Sequence, residues 1–147
     1  MAASTAFEVQ IPSDTTAGLA VQERIVSTLE EYEYSMRDIF AIRLSLEEGI
    51  TNAIRHGNKN SADKVVTIRC DVSDVRMRVE VQDQGDGFDP GSIPDPTDPD
   101  FLERPCGRGL LLMKSYLDHF EYTDEGRRLI LERNRNSPLP IVDDDDD

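Results

Sequence analysis

One decapeptide, Glu48-Gly-Ile-Thr-Asn52-Ala-Ile-Arg-His56-Gly57, constrains this chain more than any other stretch. It closes an apolar stripe of helical period formed by Ile39, Ile42, Leu46, Ile50 and Ala53. Ser35 is placed to cap that helix, and Asp38 in its first turn suits the helix dipole. The spacing predicts a helix running to about His56, with Gly57 as a good C′ residue and His56 at the negative end. Glu48 and Asn52 fall off the stripe by roughly 100–180°, at ~100° per residue. Their i, i+4 spacing stacks both on one helix face. A carboxylate can take a proton or position a nucleophile, and a carboxamide oxygen can ligate a hard cation such as Mg²⁺.

The flanking segments read as strands and helices of one layer each. Phe7-Glu-Val9-Gln-Ile11 alternates as a short strand ended by Pro12. Ser13 or Asp14 then caps a helix with Leu19, Ile25, Val26, Leu29 and Tyr32 on its apolar side. Val66, Ile68, Cys70 and Val72 alternate with polar residues, as do Met77, Val79 and Val81, and the Ser73-Asp74 link predicts a hairpin. Asp83 continues the inward series of the second strand. A carboxylate at the inner end of a strand is costly to bury alone, so a ligand donor is one candidate partner.

Residues 89–106 hold five prolines and several aspartates and read as a long loop or lid. Gly107 to Leu117 reads as a helix. Phe120-Glu-Tyr122-Thr and Arg128-Leu-Ile-Leu131 read as a closing hairpin that turns at Asp124-Glu-Gly126. Gly85 and Gly87 would let backbone approach a flat base, and Gly107 and Gly109 would open backbone N–H groups at a helix start, which suits phosphate. Arg108 can add a charge-assisted contact there. Neither a P-loop nor a Gly-x-Gly-x-x-Gly after a strand is present, so the ordinary nucleotide folds are unsupported.

With 147 residues the chain has the size of one ordinary domain, expected over 1–136 with an acidic, disordered tail over 137–147. The net charge of −14 argues against direct nucleic-acid binding. No apolar run approaches the ~18 residues of a membrane span. The first residues lack a basic n-region and an apolar h-region, so a cytoplasmic location is expected. Cys70 and Cys106 have no metal-like spacing and read as reduced thiols.

The ordered set resembles the GHKL (Bergerat-fold) ATPase superfamily, and most closely its anti-sigma-factor serine/threonine-protein kinase branch. Glu48-x-x-x-Asn52-Ala-x-x-His56-Gly57 resembles its N box. Asp83-Gln-Gly85-Asp-Gly87-Phe88 resembles its first glycine box, and Gly107-Arg-Gly109-Leu-Leu-Leu-Met-Lys its second. The resemblance spans about residues 7–133 and the three boxes together are fairly specific. It implies an α/β (α+β) two-layer sandwich, with a mixed, mainly antiparallel sheet of about five strands and three helices on one face.

The resemblance also implies ATP and Mg²⁺ as cofactors. Asn52 would hold the metal, Glu48 would be the base for a seryl hydroxyl, and Asp83 would recognise the adenine amino group. Gly85, Gly87, Gly107, Arg108 and Gly109 would line the base and phosphates. The implied partners are a STAS-domain antagonist, which would be phosphorylated, and a sigma factor, which would be sequestered; a homodimer is also implied. The closing hairpin departs from the pattern, with Gly126-Arg-Arg where the family often has a threonine that helps hold the adenine site. One rival is a non-catalytic module that binds nucleotide or only sequesters a partner. The other is an ATPase, or the catalytic half of a histidine kinase. The latter usually carries Asn at the position of Glu48 and accompanies a phosphoacceptor helix not seen here.

Overall fold

The computed structural model describes residues 4–87, 113 and 115–137. Phe88, the proline-rich stretch 89–106, Gly107, Arg108, Gly109 and the terminal acidic run lie outside the described residues. Among the described residues five strands form one sheet: β1 (Ser4–Pro12), β2 (Val65–Ser73), β3 (Arg76–Gln82), β4 (His119–Thr123) and β5 (Arg128–Asn134). Their spatial order is β1-β2-β3-β5-β4, and every described pairing is antiparallel. This is the dominant pairing type the alternating segments indicate. β1 extends beyond the expected core on both sides and includes Pro12, which pairs with Val65 at its end.

Period two divides the sheet into a dry and a wet face. Val66, Ile68, Cys70, Val72, Met77, Val79, Val81, Leu129 and Leu131 are buried on the inner one. The outer face carries a charge lattice across strands. Arg69 pairs with Glu8 at 3.0 Å, and Arg78 bridges Glu80 at 2.6 Å and Glu132 at 3.0 Å. Such exposed pairs each add only about 0–1 kcal/mol, but they make this face a wet one.

Two helices cover the inner face. α1 (Thr15–Glu31) starts at Asp14, whose side chain accepts from the Thr16 N–H. Its packed residues are Val21, Ile25, Val26 and Leu29, whereas Leu19, expected inside, is 55% exposed. The 3.6-residue period favours Val21 over Leu19 on the Ile25–Leu29 side. α2 (Met36–Asn52) is capped by Ser35, which accepts from the Asp38 N–H as expected. Ile42, Leu46, Ile50 and Ala53 are buried, and Ile39 is partly so. α2 lies close on β5: a methyl added at Gly49 would stand 3.1 Å from Leu129 Cδ2. Of the expected 107–117 helix, the described residues Met113, Ser115 and Tyr116 are helical, and the Leu117 N–H donates to the Met113 carbonyl at 3.0 Å.

One local expectation is extended and one is corrected. Asp38 lies in the first turn of α2 as expected, and it has a second role. It is fully buried, with its Oδ1 3.0 Å from Arg133 Nε, and Arg133 is itself 1% exposed. The α-helix ends at Asn52 rather than His56, and a π-helical turn, Ala53–Gly57, follows. Gly57 is not left-handed; its role is close approach, described below.

Candidate functional site

The end of α2 and the end of β3 meet, and the residues singled out in the sequence sit at that junction. Glu48 and Asn52 are both half-buried beside the fully packed stripe. Asn52 stands one turn on from Glu48, and its side-chain amide is near enough to pull the Glu48 pKa down. An ionised carboxylate only accepts, so the NH₂ is the group Asn52 can turn to it, with the carbonyl oxygen left over. That oxygen is a hard donor suited to Mg²⁺, so the residues present fit such an ion. Burial raises the Glu48 pKa; the Asn52 hydrogen bond and His56 lower it, and Glu47 raises it. A carboxylate made more basic by burial is a better proton acceptor near neutral pH.

The π-helical turn sets the next piece. Its wider loop closes when the Asn58 N–H reaches the Ala53 carbonyl at 2.8 Å. Single π turns recur at functional sites because they redirect backbone without ending the helix abruptly. Here the redirected residue is Gly57. A side chain on Gly57 would overlap the Asp83 carboxylate, and one on Gly85 would stand 2.7 Å from the Gly57 carbonyl carbon. Two backbones and the Asp83 carboxylate therefore converge where only glycine fits.

Asp83 reaches this junction by sheet register. Its N–H donates to the Arg127 carbonyl at 2.9 Å, extending the β3–β5 ladder one residue beyond Gln82↔Arg128. It thus lies on the inner face with Met77, Val79 and Val81, as the alternation predicts. Its Oδ1 accepts from the Gly85 N–H at 2.8 Å. Burial raises its pKa, while the Gly85 hydrogen bond, Arg127 and Lys64 pull it down and Asp124 pushes it up. Gly87 has φ +79°, a left-handed conformation that glycine adopts freely.

Two residues of the site were not singled out by sequence reasoning. Asn58 is fully buried, and its Oδ1 accepts from the Gln84 N–H at 2.7 Å. Arg127 Nε donates to the Gly85 carbonyl at 2.9 Å. Asn58 offers no local signal beyond its place after a helix end. Arg127 could have been found by counting register from Asp83 across the closing hairpin. Glu48, Asn52, Asp83, Gly85 and Gly87 are brought to one end of the sheet; Gly107, Arg108 and Gly109 lie outside the described residues. Among the described residues no group of three or more His, Cys, Asp or Glu could hold a metal.

A two-layer α+β domain with a carboxylate–carboxamide helix over a strand-end aspartate and its glycine turn is a protein of GHKL type. The chain belongs to the histidine kinase-like ATPase domain family, whose model matches residues 11–133. It is 28% identical over 116 residues to an anti-sigma F factor of Clostridium acetobutylicum, covering 74% of this chain and 79% of that one. It is 24% identical over 120 residues to an anti-sigma F factor of Clostridium novyi, covering 77% and 82%. Its fold is similar to the crystal structure of the RsbU and RsbW domains of Rv1364c from Mycobacterium tuberculosis, with a TM-score of 0.62 at 15% identity. That match covers 94% of this chain and 34% of the other, so the chain spans about a third of that protein. No helix among the described residues is long and apolar enough to cross a membrane.

Proposed function

We propose that this chain is an ATP-binding, Mg²⁺-dependent protein serine/threonine kinase of the anti-sigma type. It would phosphorylate a STAS-domain antagonist in one state and sequester a sigma factor in the other, as a cytoplasmic homodimer. The observation that carries the reading is the Glu48–Asn52 pair: a carboxylate made more basic by burial beside a carboxamide one turn on, within an ATPase-family domain. The names of the relatives support the anti-sigma part.

In the proposed reaction a seryl or threonyl oxygen of the partner bonds to the γ-phosphorus of ATP. The bond from that phosphorus to the β,γ-bridging oxygen breaks, ADP leaves, and Glu48 takes the hydroxyl proton. Mg²⁺, when bound, neutralises charge on the phosphates. Asn52 would hold that ion through its carbonyl oxygen while its NH₂ keeps Glu48 in place. Asp83 would accept from the adenine amino group, and the Gly57–Gly85 contact would leave room for the base. Gly107, Arg108 and Gly109 would supply the phosphate contacts.

The test is phosphate transfer from ATP to a STAS-domain partner, read beside ATP affinity. Glu48→Gln should keep binding within a few-fold and lower transfer by the 10²–10⁴ typical of a general base. Asn52→Ala should lose Mg²⁺-dependent binding. Equal loss of binding and transfer in Glu48→Gln would count against the base role. Intact binding with no transfer in the wild type would favour a non-catalytic sequestering module.

A further inference from the structure

The turn that carries Asp83 is gripped from both flanks. On one side stands Asn58, buried, with its Oδ1 on the Gln84 N–H at 2.7 Å. Its Nδ2 donates to Ser13 Oγ and to the Val65 carbonyl, each at 3.0 Å. Asn58 is thus fixed to the β1–α1 junction and to the start of β2. On the other side stands Arg127, on the inner face directly across the ladder from Asp83. Its Nε donates to the Gly85 carbonyl at 2.9 Å and its Nη2 to the Asp86 carbonyl at 3.2 Å. Its Nη1 donates to the Glu125 carboxylate at 3.0 Å and the Asp124 carbonyl at 3.4 Å. A methyl at Gly87 would meet the Arg127 Cγ at 3.5 Å, so the stem packs under the turn as well.

We propose that Arg127 is a positioning residue for base recognition. By bridging the Gly85 and Asp86 carbonyls it holds the turn in the shape that offers the Asp83 carboxylate to the exocyclic amino group of adenine, and so sets preference for adenine over guanine. The inference rests on the proposed role of Asp83. A guanidinium fork suits the task because it gives two donors in a fixed plane, where a lysine gives one movable centre. Two successive carbonyls held by one rigid group leave the turn no easy path to rotate. The Gly85 N–H that holds Asp83 Oδ1 belongs to the same anchored peptide segment. The carboxylate is therefore positioned through the turn, without direct contact from Arg127.

The same cation acts on the charge of Asp83. Asp83 is faced by Lys64 from the loop before β2, by Asp124 from the β4–β5 turn, and by Arg127 itself. Removing Arg127 leaves Asp124 opposed by Lys64 alone among these side chains. Asp83 then protonates at higher pH, and a protonated carboxyl accepts an amino group poorly.

The experiment compares wild type, Arg127→Ala, Arg127→Lys and Arg37→Ala by calorimetry with ADP, GDP and Mg²⁺-tripolyphosphate across pH 5 to 8. Arg127→Ala should weaken ADP about tenfold, the scale of one lost charge-assisted hydrogen bond. GDP and tripolyphosphate should change little, so the ADP/GDP ratio falls. The pH at which ADP binding fails on acidification should move up. Arg127→Lys should restore that pH but only part of the ratio, and Arg37→Ala, which removes a cation from the exposed start of α2, should behave as wild type. An unaltered ADP/GDP ratio in both Arg127 variants, beside a wild type that prefers ADP, overturns this inference alone. Equal loss of ADP and tripolyphosphate also overturns it, since that marks general disruption. A wild type that binds neither nucleoside diphosphate overturns the proposed function and this inference together.

Discussion

Gly57 and Gly85 show how much a missing methyl group can decide. A methyl on Gly85 would overlap backbone, the Gly57 carbonyl, which cannot step aside without moving the π-helical turn. A methyl on Gly57 would overlap only the end of the Asp83 side chain. Gly85→Ala should therefore cost about 1–3 kcal/mol of stability, the usual range for overpacking. Gly57→Ala should cost less stability, yet still displace the Asp83 carboxylate. Denaturant titration with nucleotide calorimetry separates the two, and equal stability losses would contradict the distinction between backbone and side-chain overlap. The sequence marked both glycines, but it placed Gly57 only as the residue after a helix end. That reading is local, whereas the real constraint comes from Asp83 on a distant strand. Asp83 itself was legible because period two needs only its own strand. Arg127 was not singled out, because a pair of arginines after a turn reads as surface until the register places one of them opposite Asp83.

At the scale of elements, α2 is fixed at both ends by residues far away in the chain. Its C-terminal end meets β3 through the glycines. Its N-terminal turn is tied to β5 by the buried pair of Asp38 and Arg133. Asp38 also accepts from the Asn136 N–H at 2.9 Å. Arg133 donates to the Tyr116 carbonyl at 2.6 Å and to the Ser137 carbonyl. One guanidinium thereby joins α2, β5 and the chain just before β4. Taking away one partner leaves the other charge buried and unpaired, which typically costs about 3–5 kcal/mol. Asp38→Ala should lower the unfolding free energy by that amount, seen as a lower urea midpoint at an unchanged slope. The double variant Asp38→Leu/Arg133→Met should recover part of the loss, because a packed apolar pair avoids desolvation. A loss within about 0.5 kcal/mol, the usual range for surface substitutions, would show that Asp38 is solvated after all. The elements themselves were legible from periodicity and caps: Ser35, Asp14 and both hairpins stand where the sequence puts them. The Asp38–Arg133 tie was not, since nothing local distinguishes a buried first-turn aspartate from one that faces water.

For the whole molecule, site and surface push stability the same way with pH. Glu48 and Asp83 both have pKa values raised by burial. In the unfolded chain they titrate near their ordinary values, about 4.3 for Glu and about 3.9 for Asp. Between those values and the raised folded ones, the folded state holds more protons than the unfolded state. Stability therefore falls as pH rises through that window and levels off above it. The net charge of −14 adds self-repulsion in the same direction. Tyr34 and Cys70, pushed up to about 12 by burial, stay neutral at pH 5 to 7.5 and contribute nothing there. Without nucleotide, the melting temperature should thus drop as pH rises from the ordinary carboxylate range, about 4, toward neutrality. Replacing both site carboxylates in Glu48→Gln/Asp83→Asn should flatten the drop and raise stability at pH 7.5. Glu30→Gln/Glu31→Gln removes the same charge from the exposed end of α1 and serves as the comparison. If both variants flatten the curve equally, the slope belongs to overall charge and the two site carboxylates are ordinary. If only the site variant does, the free protein gives up stability to hold two carboxylates ready. Mg²⁺ and ATP should then return it, by mass action and by giving those carboxylates partners.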